Sequence, residues 1–108
     1  MQYHLFRLLS KELGTAAQLA ADHSADERVA AFLIDLGERY AARGFSGTHF
    51  RLSMSRSDIA NYLRLAPETV TRALGRLRSQ GIIEIDGRAV ILRDDVSLRA
   101  QAGGRASP

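Results

Sequence analysis

The spacing of apolar positions shifts along this chain, and each shift predicts an element. Over residues 2–22, Leu5, Leu9, Ala16 and Ala20 recur near helical spacing, with Phe6, Leu13 and Ala17 beside them. A helix is expected there, weakened at Gly14 by about 1 kcal/mol relative to Ala. Ser24-Ala-Asp-Glu27 has the spacing of a capping box and predicts a fresh helix start. Val29, Phe32, Leu33, Leu36 and Tyr40 follow as a core-facing stripe. Gly44 is the expected stop, with Arg39 and Arg43 placed favourably for the helix dipole. Residues 44–49 read as a surface loop, and residues 50–54 alternate well enough for a short strand.

Ser55-Arg-Ser-Asp58 is a second box-like start, with Ile59 and Leu63 pointing inward from its helix. Pro67 suits the first position of the next helix, because it has no N–H to leave unpaired. Val70, Leu74 and Leu77 form the inner stripe of that helix over residues 67–80, and Gly81 ends it. Its other side carries Glu68, Thr71 and Arg72. Two short helices joined tightly, the second presenting polar side chains able to reach base edges, is the helix-turn-helix design for the DNA major groove. Two β-branched runs, Ile82 to Ile85 and Arg88 to Leu92, flank Asp86-Gly87 and predict a hairpin with a type I′ turn. A hairpin directly after the second helix is a wing. The expected fold is mainly α with a small β-hairpin: a winged helix-turn-helix over residues 24–98, preceded by the helix of residues 1–23. Asp94 to Arg99 can add a helical turn, and residues 99–108 read as a disordered tail.

Composition narrows the function. The 108 residues contain no cysteine, which excludes disulfides and thiolate metal sites. No apolar run is long enough to cross a membrane, so a soluble cytoplasmic protein is expected. The net charge of +3 is unevenly placed. Residues 1–50 hold five basic and six acidic side chains, and residues 81–108 hold four of each. Between them, Arg51, Arg56, Arg64, Arg72, Arg76 and Arg78 face only Asp58 and Glu68, so the positive charge falls on the helix-turn-helix. His4, His23 and His49 are scattered without metal-ligand spacing. No serine has a histidine and an acid arranged nearby in sequence. An enzyme is not expected, nor a metal or cofactor.

Glu27-Arg-Val-Ala-Ala-Phe32, Arg43-Gly-Phe-Ser46, Phe50-Arg-Leu-Ser-Met-Ser-Arg56, Asp58-Ile59, Asn61-Tyr-Leu63, Glu68-Thr69 and Leu74-Gly-Arg76 together form a recognisable pattern. Through these residues, the chain from Ser24 onward resembles the C-terminal DNA-binding half of the CRP/FNR family of bacterial transcription regulators, most closely the FNR branch. The resemblance implies that residues 2–22 are the end of a long dimerisation helix, with Leu5, Leu9, Leu13, Ala16 and Ala20 at the interface of a weak homodimer. It places the family's base-reading pattern, Glu-x-x-Ser-Arg, on Glu68, Thr71 and Arg72. The chemistry stands by itself: a carboxylate accepts from cytosine N4, an arginine takes guanine O6 and N7, and a threonine methyl sits on a thymine methyl. The cyclic-AMP receptor branch usually has an additional arginine just before the glutamate, where this chain has Pro67. The resemblance therefore implies a TTGAT-type inverted repeat rather than a TGTGA type. Arg51, Ser55, Arg56, Thr69 and Arg76 are the candidate phosphate contacts on double-stranded DNA. Gly44, Phe45, Ser46, Gly47, Thr48 and His49 resemble a surface through which family members touch RNA polymerase.

The chain departs from the family pattern in three ways. Thr71 stands where the FNR branch has serine. Arg64 holds a turn position usually held by glycine, at a cost of roughly 1 kcal/mol. Ala66 replaces the usual serine or threonine cap, at about another 1 kcal/mol. The family's N-terminal sensor barrel is not among these residues, so no effector site transfers. An alternative role follows: a protein-interaction module acting as an inhibitor through mixed dimers with a full-length relative.

Overall fold

In the computed structural model, which describes the backbone of residues 2–103 and the side chains of Ala20 and residues 22–103, the first element is one helix, α1, Gln2–Ala42. It runs through the expected start at Ser24 without interruption. A capping box works only where the chain enters a helix from another conformation, and no Pro or Gly immediately precedes Ser24 to force that entry. Instead the motif packs inward: Ala25 is fully buried, and Asp26 reaches across to another helix. The buried stripe of α1 is Ala25, Val29, Ala30, Leu33 and Ile34, with Phe32, Leu36 and Tyr40 half-buried at its edge. Of the expected interface positions, Ala20 is exposed; the side chains of Leu5, Leu9, Leu13 and Ala16 lie outside the described residues, as do residues 104–108.

The end of α1 has a specific geometry. Phe45 N–H donates to the Tyr40 carbonyl at 2.9 Å and Gly44 N–H to the Ala41 carbonyl at 3.0 Å. Gly44 has φ +86°, and the Phe45 ring meets the Tyr40 ring edge-on at 6.2 Å. This is a Schellman stop with its hydrophobic contact. The third helix ends the same way, at Gly81.

The remaining elements are β1 (His49–Arg51), α2 (Arg56–Leu63), α3 (Pro67–Ser79), β2 (Ile83–Asp86), β3 (Ala89–Leu92) and α4 (Asp95–Gln101). The wing forms as predicted, but its turn is displaced by one residue. Asp86 pairs with Ala89, leaving Gly87-Arg88 as the loop. Only Gly87 of that pair has positive φ, the pattern of a type II′ turn and not the expected I′. β1 is shorter than the expected 50–54 strand and pairs antiparallel with β3, Phe50 opposite Val90, so the hairpin is completed to a three-stranded sheet of order β1-β3-β2.

Residues 99–101, expected in the tail, belong to α4. Leu98 and Ala102 are fully buried one turn apart, closing the core against α1. The core draws on every layer: Leu33 from α1, Leu52 after β1, Ile59 from α2, Leu77 from α3, Ile83 and Val90 from the sheet, Leu98 from α4. Burying each such side chain contributes about 1.5–3 kcal/mol. Among the described residues no polar or charged side chain is fully buried.

Candidate nucleic-acid interface

The helix-turn-helix is built by three local devices. Ser55, extended at φ −73° and ψ 167°, caps α2 by accepting from Asp58 N–H at 3.1 Å. The turn then reverses at Arg64, which has left-handed φ 60° and ψ 46° and is the sole non-glycine residue at positive φ among the described residues. Leu65 N–H donates to the Ala60 carbonyl at 2.8 Å, repeating the stop used by α1 with arginine in the glycine position. Arg28 of α1 supports this end by donating to the Leu63 carbonyl at 3.2 Å. α3 begins at Ala66 without a side-chain cap and with Pro67 in its first turn, as the sequence predicted.

α3 is divided cleanly. Val70, Ala73, Leu74 and Leu77 are buried, whereas Glu68, Thr71 and Arg72 are exposed together at positions i, i+3 and i+4. The ion pair that their spacing permits between Glu68 and Arg72 is not formed. Among the described residues no intramolecular hydrogen bond or ion pair engages the side chains of Glu68, Thr71 or Arg72. One acceptor, one hydroxyl and one five-donor guanidinium are thus unspent on one face of a helix narrow enough for the major groove.

The residues expected at phosphates divide into two groups. Arg51 is exposed. Ser55 uses a lone pair for the α2 cap, which leaves its hydroxyl proton for another acceptor. Thr69 is half-buried in the first turn of α3. Arg56 donates through Nη2 to the Gly87 carbonyl at 2.8 Å, tying the start of α2 to the tip of the wing. Arg88 on that tip donates back to the Ser53 carbonyl at 3.4 Å.

Arg76 stands apart. Its Nε and Nη2 grip the Asp26 carboxylate at 2.7–3.2 Å, and Asp22 lies 3.7 Å away. The Asp26 hydrogen bond raises the Arg76 pKa above its already high ordinary value, with burial acting against it and the charges of Asp26 and Asp22 adding. The sequence offered no signal for this pair, because the partners are 50 residues apart.

The loop of residues 44–49 is ordered by its own side chains. Ser46 Oγ accepts from the N–H groups of Thr48 and His49 at 3.1 and 2.9 Å. Phe45 remains 66% exposed at its tip.

Comparison with known proteins agrees with this geometry. Residues 27–100 match the Crp-like helix-turn-helix domain. The transcriptional activator protein FnrA of Stutzerimonas stutzeri is 45% identical over 107 residues, taking in 96% of this chain and 44% of that protein. This chain therefore spans less than half the length of such relatives. Among solved structures, the catabolite activator protein of Thermus thermophilus superposes with a TM-score of 0.67 at 27% identity, over 94% of this chain and 46% of that one. FixK2 of Bradyrhizobium japonicum gives 0.64 at 34% identity, over 92% and 52%. The chain belongs to the Crp-like helix-turn-helix family, the DNA-binding domain of CRP/FNR-type transcription regulators.

Proposed function

We propose that this domain reads an FNR-like TTGAT-type inverted repeat through α3, as one half of a two-fold pair. The observation that carries the reading is the unspent trio on α3: Glu68 for a cytosine amino group, Arg72 for a guanine edge and Thr71 for a thymine methyl. Arg51, Ser55, Arg56 and Thr69 supply phosphate contacts, which fix register and carry no sequence information. Pairing follows from geometry, since one helix in one groove buries little and palindromes are read by paired domains roughly 34 Å apart. The N-terminal part of α1 supplies a weak interface, with Leu5, Leu9, Leu13, Ala16 and Ala20 as its seam. The ordered loop of residues 44–49, with Phe45 at its tip, is the surface offered to RNA polymerase.

Fluorescence anisotropy tests the reading directly. Duplexes carrying a TTGAT inverted repeat, a TGTGA repeat and a scrambled sequence are compared at two salt concentrations. Selective binding to the first is expected, with Arg72→Ala removing the selectivity and leaving a salt-sensitive residue of non-specific affinity. Equal binding to all three duplexes, unchanged in Arg72→Ala, would overturn it and favour a module that acts through mixed dimers with a longer relative.

A further inference from the structure

We infer that Arg76 is a positioning residue: through Asp26 it locks α3 to α1 and so sets the spacing at which a pair of domains reads DNA. The inference rests on the paired DNA reading proposed above. Its basis is the geometry of the contact. Arg76 Nε lies 3.1 and 3.2 Å from the two Asp26 oxygens, Nη2 lies 2.7 Å from one of them, and Nη1 lies 3.7 Å from Asp22. A planar guanidinium held by two N–H groups on one carboxylate fixes an angle as well as a distance. The apolar packing between the helices, where Val29, Ala73 and Leu77 share one core, carries no donor–acceptor direction of this kind. The ion pair is therefore the directional element of the α1–α3 contact.

The same geometry argues against a phosphate role. Side-chain exposure is 31% for Arg76, 17% for Asp26 and 25% for Asp22. A phosphate reaching this guanidinium would displace a short carboxylate contact and lie against two like charges. Arg72, one turn earlier on α3, has neither obstacle. In a pair held together along α1, any rotation of α3 on α1 would move both reading helices relative to each other, so the lock would act on half-site spacing and not on base choice.

The test compares the full chain with Arg76→Ala, Arg76→Lys, Asp26→Ala and the exchanged pair Arg76→Asp with Asp26→Arg, each checked for cooperative melting. Anisotropy is measured on TTGAT repeats with the natural spacer and with spacers one base pair shorter and longer, across a salt series. Both alanine variants should lose about tenfold in affinity at the natural spacing, with less discrimination between spacings and an unchanged salt slope. The exchanged pair should restore part of this, and lysine less than arginine. An Arg76→Ala variant whose salt slope falls by about one, beside an Asp26→Ala variant that binds as well or better, would mean that Arg76 touches phosphate after all.

A second readout does not depend on DNA. The chain has no cysteine, so spin labels at His23→Cys and Ser79→Cys report one α1–α3 distance. Its distribution should broaden in both alanine variants. An unchanged distribution would refute the lock, whereas a wild-type chain that ignores every repeat would refute only the DNA reading.

Discussion

Gly37 of α1 and Gly47 of the following loop meet backbone to backbone. A Cβ on Gly37 would land on the Gly47 carbonyl oxygen, and one on Gly47 would lie 3.2 Å from the Gly37 carbonyl oxygen. The loop lies this close to the helix because Gly37 has no side chain, while a Cβ on Gly47 would be tight against the same backbone. Helix propensity alone would favour alanine at Gly37 by about 1 kcal/mol.

Gly37→Ala should therefore destabilise the domain by about 1–3 kcal/mol, the cost of an added methyl with no room, despite its better propensity. Gly75, in α3, is the control: a methyl added there would meet nothing within 4 Å, so Gly75→Ala should gain about 0.5–1 kcal/mol. Urea midpoints at constant m-value check both; equal shifts of the same sign would contradict the account.

Arg64 and Ala66 mark two places where stability was left unclaimed. Arg64→Gly relieves a left-handed arginine, and Ala66→Ser supplies a hydroxyl to the first turn of α3. Each should add about 1 kcal/mol, or roughly 4–8 °C in Tm. Calorimetry that finds neither variant more stable would show that the turn is relaxed around its present residues.

Both departures were legible in the sequence, as were the two helices of the motif, Pro67 at the start of α3 and the wing. These depend on neighbours a few residues away. The features that sequence missed depend on distant partners. Ser24-Ala-Asp-Glu27 reads as a helix start because the local hydrogen bonds are available, yet Ala25 is buried in the core and Asp26 is taken by Arg76. β1 pairs with β3, a partner that no local pattern reveals. Residues 99–102 read as tail by composition, although Leu98 and Ala102 stand four apart and are both buried. For the candidate site, the trio on α3 was visible from spacing, whereas the partner of Arg76 emerges only when α1 and α3 are packed together.

α4 carries a pH-dependent cap. Asp94 accepts from Ser97 N–H at 3.0 Å and from Ser97 Oγ at 2.7 Å, and the hydroxyl contact is the larger cause that holds its pKa below the ordinary 3.8. A lowered carboxylate pKa stabilises the fold above the unfolded value, and that contribution is lost as pH falls through the folded one. The stability gap between wild type and Asp94→Ala should be full at neutral pH and close in the acid range below 3.8. A gap that stays constant down to about pH 2.5 would show that the carboxylate charge is not what holds the cap.

Thr71→Ser removes one methyl from the reading face and keeps the hydroxyl. If that methyl sits on a thymine, preference at a single base pair should relax by up to about tenfold while the other positions keep theirs. Binding to a duplex library reads this position by position; a uniform loss across all positions would point to a change in the fold of α3.

Sedimentation equilibrium should find a weak dimer whose share of the chain rises with concentration. A strict monomer at high micromolar concentration, also on DNA, would remove the two-fold pair from the mechanism.

The pairing of β1 with β3 has a consequence for how the domain comes apart. β1, which leads into α2, is zipped to β3, the second strand of the hairpin that follows α3, with His49 opposite Ile91. Both ends of the segment that holds α2 and α3 are thus fixed in one sheet, and Val90 of β3 shares a single core with Ile59 of α2 and Leu74 and Leu77 of α3. Amide protons of β3 and of the inner face of α3 are expected to exchange together, at the rate of global unfolding, as one cooperative foldon. Because the zipper joins the two ends of the segment, it closes a long loop of chain, which places its formation late in folding.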